Sequence, residues 1–240
     1  MDMTKDALQY VVGLKKAEII EVNGDNYSDR QIYRIDRVIR AEPLKMGTLT
    51  SLLDYLKSGI DDMPENMLVQ VESPICVKVI SVLDKDRRRE EMAEVSAWIP
   101  EFEYGRYMDQ ESFIIALQAK FLPGEDRDLL LRFAGTVKDE SIAEYGDNGV
   151  SQKAAIKTGI STVGDAVVPN PVTLCPFRTF VEVKQPESRF VFRMRQSEGR
   201  GVECAVFEAD GGAWKNAAMS NVKEYLKKEL EGFSQYTVIS

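Results

Sequence analysis

The residues with the clearest chemical potential are four arginines interleaved with four phenylalanines. They are Arg178, Arg189, Arg193 and Arg195 with Phe177, Phe180, Phe190 and Phe192. Presented on one sheet face, such a set can hold a nucleotide or a single-stranded nucleic acid, with rings stacking on bases and guanidinium groups meeting phosphates. Arginine and aromatic side chains are also enriched at the centres of protein interfaces, so a subunit contact is a competing use of the same face. A third reading needs no partner: a half-buried strand with aromatics inward and arginines outward has the same alternation. These eight residues are the candidate binding or interface site.

Other chemistries find less support. Asp25, Asp29, Asp61 and Asp62 lie in polar segments. A divalent cation would need further convergent ligands in fixed geometry, and neither an EF-hand spacing nor a two-metal signature is present. Asp147 and Asn148 are explained by turn formation. Gly159, Gly164 and the intervening Ser161-Thr162 form a small-residue stretch. A phosphate cradle wants a P-loop Lys-Ser/Thr or a glycine-rich turn opening a helix, whereas the surroundings here read as strands. Arg87, Arg88 and Arg89 are flanked by Asp84, Asp86, Glu90 and Glu91, so the run is close to neutral and reads as a solvated connection.

The chain contains no histidine. That removes Ser-His-Asp and Cys-His catalysis, histidine-ligated zinc and the usual switch near neutral pH. Cys76, Cys175 and Cys204 are sparse and widely spaced without a CxxC pair, which reads as buried thiols and not as a zinc site or a disulfide framework. No catalytic residue, metal or cofactor is expected. A net charge of −8 disfavours non-specific binding to nucleic acid or to anionic membranes. No run approaches the ~18 apolar residues that a membrane span needs. The first residues lack a basic region followed by an apolar run. The expectation is a soluble intracellular protein with no membrane partner.

At 240 residues and 44% hydrophobic content, the chain can build one large core or two smaller ones. Thr4–Lys16 reads as an amphipathic helix and Ala17–Val22 as a strand. Asn23-Gly24 marks a turn, with a polar loop through Asp25–Asp29 and a return strand at Gln31–Ile39. Thr48–Ser58 is a helix stopped by Gly59. Met67–Val71, Ile75–Leu83 and Met92–Ile99 form an antiparallel meander. Asp109 caps a helix at Gln110–Phe121. Asp126–Ala134 is apolar without a decisive period. Glu140–Tyr145 and Val150–Thr158 flank Gly146–Gly149 as a hairpin. Val172–Val183 continues as a strand interrupted at Pro176. Arg189–Gln196 pairs with Val202–Glu208, Asn216–Leu230 is an amphipathic helix, and Tyr236–Ile239 is a last strand. The class is α+β, mostly antiparallel sheets with about four amphipathic helices. The expected organisation is an α+β part over residues 1–124 and a β-rich part with a terminal helix over 125–240, or one continuous domain.

The stretch Gly146 to Met194 is the most specified of the chain. Its blocks GDNGVSQKAAIKTG and VPNPVTLCPFRTFVEVKQPESRFVFRM resemble the YfdQ-like family of phage and prophage proteins, a domain of unknown function. Asp109 to Thr136 adds weaker support, and the first hundred residues are not covered. The resemblance implies a phage or prophage origin and a bacterial host cytoplasm, and it brings no catalytic residues. The expected function is a non-enzymatic homo-oligomeric assembly or scaffold protein, whose segment Gln235–Ser240 pairs with a neighbouring copy. The alternative is a module for nucleotide or single-stranded nucleic acid that supports phage replication or counters host defence.

Overall fold

The computed structural model describes residues 4–13, 17–22, 25–29, 40–136, 145–147, 152–158, 161–168, 170–197 and 201–240. The chain divides into two units, Met1–Ala41 and Glu42–Ser240. The expected boundary near residue 124 falls inside the second unit.

In the first unit, Lys5–Gly13 forms helix α1, with Thr4 Oγ1 accepting from the Ala7 amide at 3.4 Å. Ile19–Val22 (β1) and Asp25–Ser28 (β2) pair antiparallel, with Val22 opposite Asp25. Only two residues separate them, the spacing that an Asn-Gly turn favours. The return strand is therefore Asp25–Ser28 itself, where the sequence reading put a polar loop. Gln31–Ile39 lies outside the described residues.

The second unit begins with Leu44–Met46 (β3) and Leu49–Ser58 (α2). Thr48 Oγ1 accepts from the Ser51 amide at 3.1 Å, and Gly59 ends the helix with φ at 60°, a conformation that suits glycine. Met67–Ser73 (β4), Cys76–Ser81 (β5) and Glu91–Ser96 (β6) form the expected meander. Two parallel neighbours complete this sheet. One is β3 beside β6; the other is Tyr236–Ile239 (β14) beside β4. The order is β14-β4-β5-β6-β3. Residues at alternate positions of β4, β5 and β6 pack with Leu49, Leu52, Leu53 and Leu56 of α2. Val222, Leu226 and Leu230, on or just after helix α5 (Ala213–Glu229), join the same core. Each such side chain contributes roughly 1.5–3 kcal/mol on burial.

A second sheet has the order β11-β12-β13-β7 and is antiparallel throughout. Its strands are Met108–Asp109 (β7), Val172–Leu174 (β11), Ser188–Ser197 (β12) and Gly201–Glu208 (β13). Helices α3 (Gln110–Lys120) and α4 (Glu125–Thr136) cover one face of it. Phe113 and Leu117 of α3 and Leu130 and Phe133 of α4 share that core with Phe190, Phe192 and Met194. The segment of undecided period is thus a helix, and helices on both sides of residue 124 bury against one sheet. Tyr145–Asp147 (β8), Gln152–Thr158 (β9) and Ser161–Val168 (β10) form a third, antiparallel sheet. Gly146 lies inside a strand of that sheet, where a turn was expected.

The class is α+β, with five helices among the described residues. One further expectation fails. Val172–Val183 does not continue as a strand: only Val172–Leu174 pairs, because the chain from Cys175 onward is held by side-chain bonds instead of a ladder. The strand expected at Tyr236–Ile239 is β14, which pairs with β4 of its own chain and stands at the edge of the sheet.

Candidate functional site

The loop between β11 and β12 is organised by one buried amide. Gln185 Oε1 accepts from the backbone N–H groups of Arg178 at 2.9 Å and Thr179 at 3.1 Å. Its Nε2 donates to the carbonyls of Phe180 at 2.8 Å and Val183 at 3.3 Å. These bonds do for the loop what a strand partner would do for a strand, which satisfies buried backbone groups away from water. The loop is anchored outside itself as well. Phe177 N–H donates to the Lys120 carbonyl at 3.0 Å, and Thr179 Oγ1 donates to the carbonyl of Pro74.

Arg178 is 3% exposed. Its guanidinium carbon lies 4.4 Å from the ring centre of Tyr104, 4.6 Å from that of Trp214 and 5.0 Å from that of Phe190. Nε donates to the Tyr104 hydroxyl at 3.0 Å and Nη1 to Ser188 Oγ at 3.3 Å. Nη2 sits 2.9 Å from Glu208 Oε1, close enough for charge pairing but without hydrogen-bond alignment. A guanidinium is the cation best suited to such a box, because it stacks on rings and donates in its own plane. Burial raises the Tyr104 pKa, and the neighbouring Arg178 offsets only part of that rise. Burial also acts upward on Asp210, but the Gly212 amide, Ser188 and Arg178 outweigh it and hold this carboxyl below its ordinary value.

The eight candidate residues do not form one face. Arg178 is inside the aromatic box. Phe180 is buried in the core of the five-stranded sheet, while Phe190 and Phe192 are buried under α3 and α4. Phe177 is half-buried. Arg189, Arg193 and Arg195 alternate on the opposite side of β12 from Phe190 and Phe192. Arg189 is exposed. Arg193 Nη1 donates to the Phe192 carbonyl at 3.0 Å. Arg195 Nε pairs with Glu203 at 2.8 Å, and its guanidinium lies 4.0 Å from the centre of the Tyr107 ring. The arginines and the phenylalanines are therefore separated by the sheet, and one of the outward cations is already matched by a carboxylate.

The other candidates are held in local structure. Asp29 Oδ1 accepts from the Glu18 amide at 2.8 Å, and Asp61 Oδ2 accepts from the Tyr55 hydroxyl at 2.6 Å. Asp84 Oδ1 accepts from the amides of Asp86 and Arg88, both at 2.8 Å, which makes the arginine run a turn. Gly164 lies in β10 beside a register shift. Asn148 and Gly159 lie outside the described residues. Among the described residues, no group of three or more His, Cys, Asp or Glu is placed to hold a metal ion. Burial pushes the Cys204 thiol up to about 12, and burial with a bond to Glu72 pushes Cys76 up to about 11. Neither is a thiolate near neutral pH.

A surface residue that the candidate set omitted stands out. Trp98 is 86% exposed, and its ring lies against Gly47, where an added Cβ would come within 3.3 Å of it. The ring is thus laid on the backbone between β3 and α2 with its other face open. Ile75, whose carbonyl accepts from the Ala97 amide at 2.8 Å, is also exposed. So is Val181, next to Glu182, which accepts from Thr50 in the first turn of α2 at 3.3 Å. The signal was present in the sequence: Ala93, Val95 and Ala97 share one parity, and Trp98 has the other. No family model matches the chain, and neither does any curated protein or solved structure.

Proposed function

We propose that the chain is a non-enzymatic phage or prophage protein of the bacterial cytoplasm that works as a homo-oligomer, as an assembly or scaffold component. The carrying observation is Trp98, a large aromatic fixed over Gly47 with 86% of its surface open beside other exposed apolar residues. Tryptophan in that setting is the residue type that anchors interfaces, since it offers a large rigid apolar area at low entropic cost. The resemblance of Gly146 to Met194 to the YfdQ-like family supports the phage setting. The nucleotide or nucleic-acid reading is the weaker one, because three of the four rings it needs for stacking, Phe180, Phe190 and Phe192, are in the cores while the chain carries a charge of −8.

Light scattering coupled to size-exclusion chromatography tests the proposal. At micromolar concentration the mass is expected at a multiple of 27.1 kDa, and Trp98→Ser is expected to lower it. A parent protein that elutes at 27.1 kDa throughout would end the proposal.

A further inference from the structure

We infer that β14 is a self-association edge: it pairs antiparallel with β14 of a second copy about a two-fold axis at Val238, joining two five-stranded sheets into one. This rests on the homo-oligomer reading and adds a second contact to the one at Trp98.

The first ground is the pattern of backbone groups. Strand β14 runs parallel to β4, with Tyr236 level with Met67 and Val238 with Val69. The Met67 amide donates to the Gln235 carbonyl at 2.8 Å, so residues 235, 237 and 239 turn their backbone groups to β4 and residues 236, 238 and 240 turn theirs away. Tyr236 N–H is used within the chain, by the Phe233 carbonyl at 3.1 Å. Among the described residues, the N–H and C=O of Val238 have no partner, and β14 has no strand on its outer side. The groups left facing outward are the N–H of Val238 and Ser240 and the carbonyls of Tyr236 and Val238.

That set is its own complement. About an axis at Val238, each Val238 N–H meets the other copy's Val238 carbonyl, and each Ser240 N–H meets the other copy's Tyr236 carbonyl, which satisfies all of them at once. A two-fold contact requires such self-complementarity. The side chains agree with it. Tyr-Thr-Val-Ile carries no charge that would face its own copy, and Thr237 comes opposite Ile239, which is 37% exposed.

The second ground is that the other edges of the four- and five-stranded sheets are closed to pairing. Strand β3 has Pro43 before it and Lys45 within it. Strand β11 follows Pro171, and its Thr173 amide donates to Asp126 Oδ2 at 2.6 Å. Strand β7 is two residues long and runs straight into α3. Strand β14 has no proline and no charged residue, so a second β14 is the matching edge that this chain supplies. The Trp98 surface stands at the opposite edge of the sheet, since Trp98 follows β6 and lies on Gly47, which follows β3. The two contacts do not compete, and a chain with both builds beyond a dimer.

The experiment compares the full chain with Ile239→Lys and Gln118→Lys by light scattering and by amide hydrogen exchange followed by NMR. Both variants add one positive charge at an exposed residue, one on β14 and one on α3. In the parent, the Val238 amide is expected to exchange as slowly as those of Thr237 and Ile239, which are bonded to β4. Ile239→Lys is expected to lower the mass and to make the Val238 amide exchange rapidly, and Gln118→Lys to behave as the parent. Exchange at Val238 is read in the parent itself, so a variant that folds poorly does not decide the outcome. A parent oligomer whose Val238 amide exchanges rapidly overturns the pairing and leaves the homo-oligomer reading at Trp98 standing. Equal loss of mass in both variants, or none in Ile239→Lys, has the same consequence. A monomeric parent overturns both readings.

Discussion

Gln185 receives the backbone N–H of Arg178 on its side-chain oxygen at 2.9 Å, and the two side chains then serve different cores. The amide holds the backbone turn that delivers Phe180 and Val183 into the core of the five-stranded sheet. The guanidinium points the other way, onto Tyr104, Phe190 and Trp214. One hydrogen bond thus joins the loop's two tasks.

Gln185→Ala is expected to cost about 3 kcal/mol, because it leaves buried amides and carbonyls of the loop unpaired. The midpoint of urea unfolding, at unchanged slope, reads this out. Gln185→Glu keeps an acceptor for Arg178 and Thr179 but turns the donor toward Phe180 and Val183 into an acceptor. Its deficit is expected to shrink at acid pH, where the protonated carboxyl donates again.

Arg178→Lys is expected to lose about 2 kcal/mol and not to behave as a conservative change, since an ammonium cannot stack among three rings or reach Tyr104, Ser188 and Glu208 from one plane. Tyr104→Phe removes one bond and is expected to cost about 1 kcal/mol. The double variant is expected to lose less than the two single losses combined, as residues in contact do. Near-ultraviolet circular dichroism follows the same box through Trp214.

Asp109 caps α3 by accepting from the Ser112 amide at 2.9 Å. Bonds from the Ser112 side chain and backbone hold its carboxyl below the ordinary value. A depressed folded-state pKa means that the stabilisation is present above the unfolded value, near 4, and is lost as pH falls through the folded one. Asp109→Ala is expected to cost about 1 kcal/mol at neutral pH. Asp109→Asn keeps a cap oxygen and is expected to flatten the acid limb of the stability profile, measured by denaturant titrations between neutral and acid pH.

Cys204 is fully buried, with its thiol pushed up to about 12 by burial, and the thiols of Cys76 and Cys175 are raised as well. A thiol-specific disulfide reagent at neutral pH is expected to leave Cys204 unmodified in the folded chain and to titrate all three after unfolding. Rapid modification of Cys204 in the native protein would contradict the packing of β13.

Local features were legible in the residues. The Asp109 cap, the stop at Gly59, the meander over β4–β6 and the Arg189–Gln196 pairing with Val202–Glu208 depend on bonds and side-chain parity within short spans. The class followed from them. The hairpin after β1 was expected with a longer loop, because Asp25–Ser28 is polar and polarity was taken for a loop. Trp98 had the outward parity, yet nothing local said that no other element would cover it.

What the sequence determined by itself is therefore the helices other than α4, the meander of β4–β6, the absence of histidine chemistry and the alternation of β12. Only the tertiary structure decided where that alternation points. Phe190 and Phe192 face a core made by helices some 60 to 80 residues earlier, and Phe180 enters a different one. Arg178 is buried because Tyr104, 74 positions away, and Trp214 reach it from separate elements. Tyr236–Ile239 reads as a strand alone, but its partner is β4, across the length of the second unit. Caps and turns close within a few residues, so their energetics are written locally. Burial of a charge and the choice of a parallel neighbour depend on surfaces that exist only once distant segments have met.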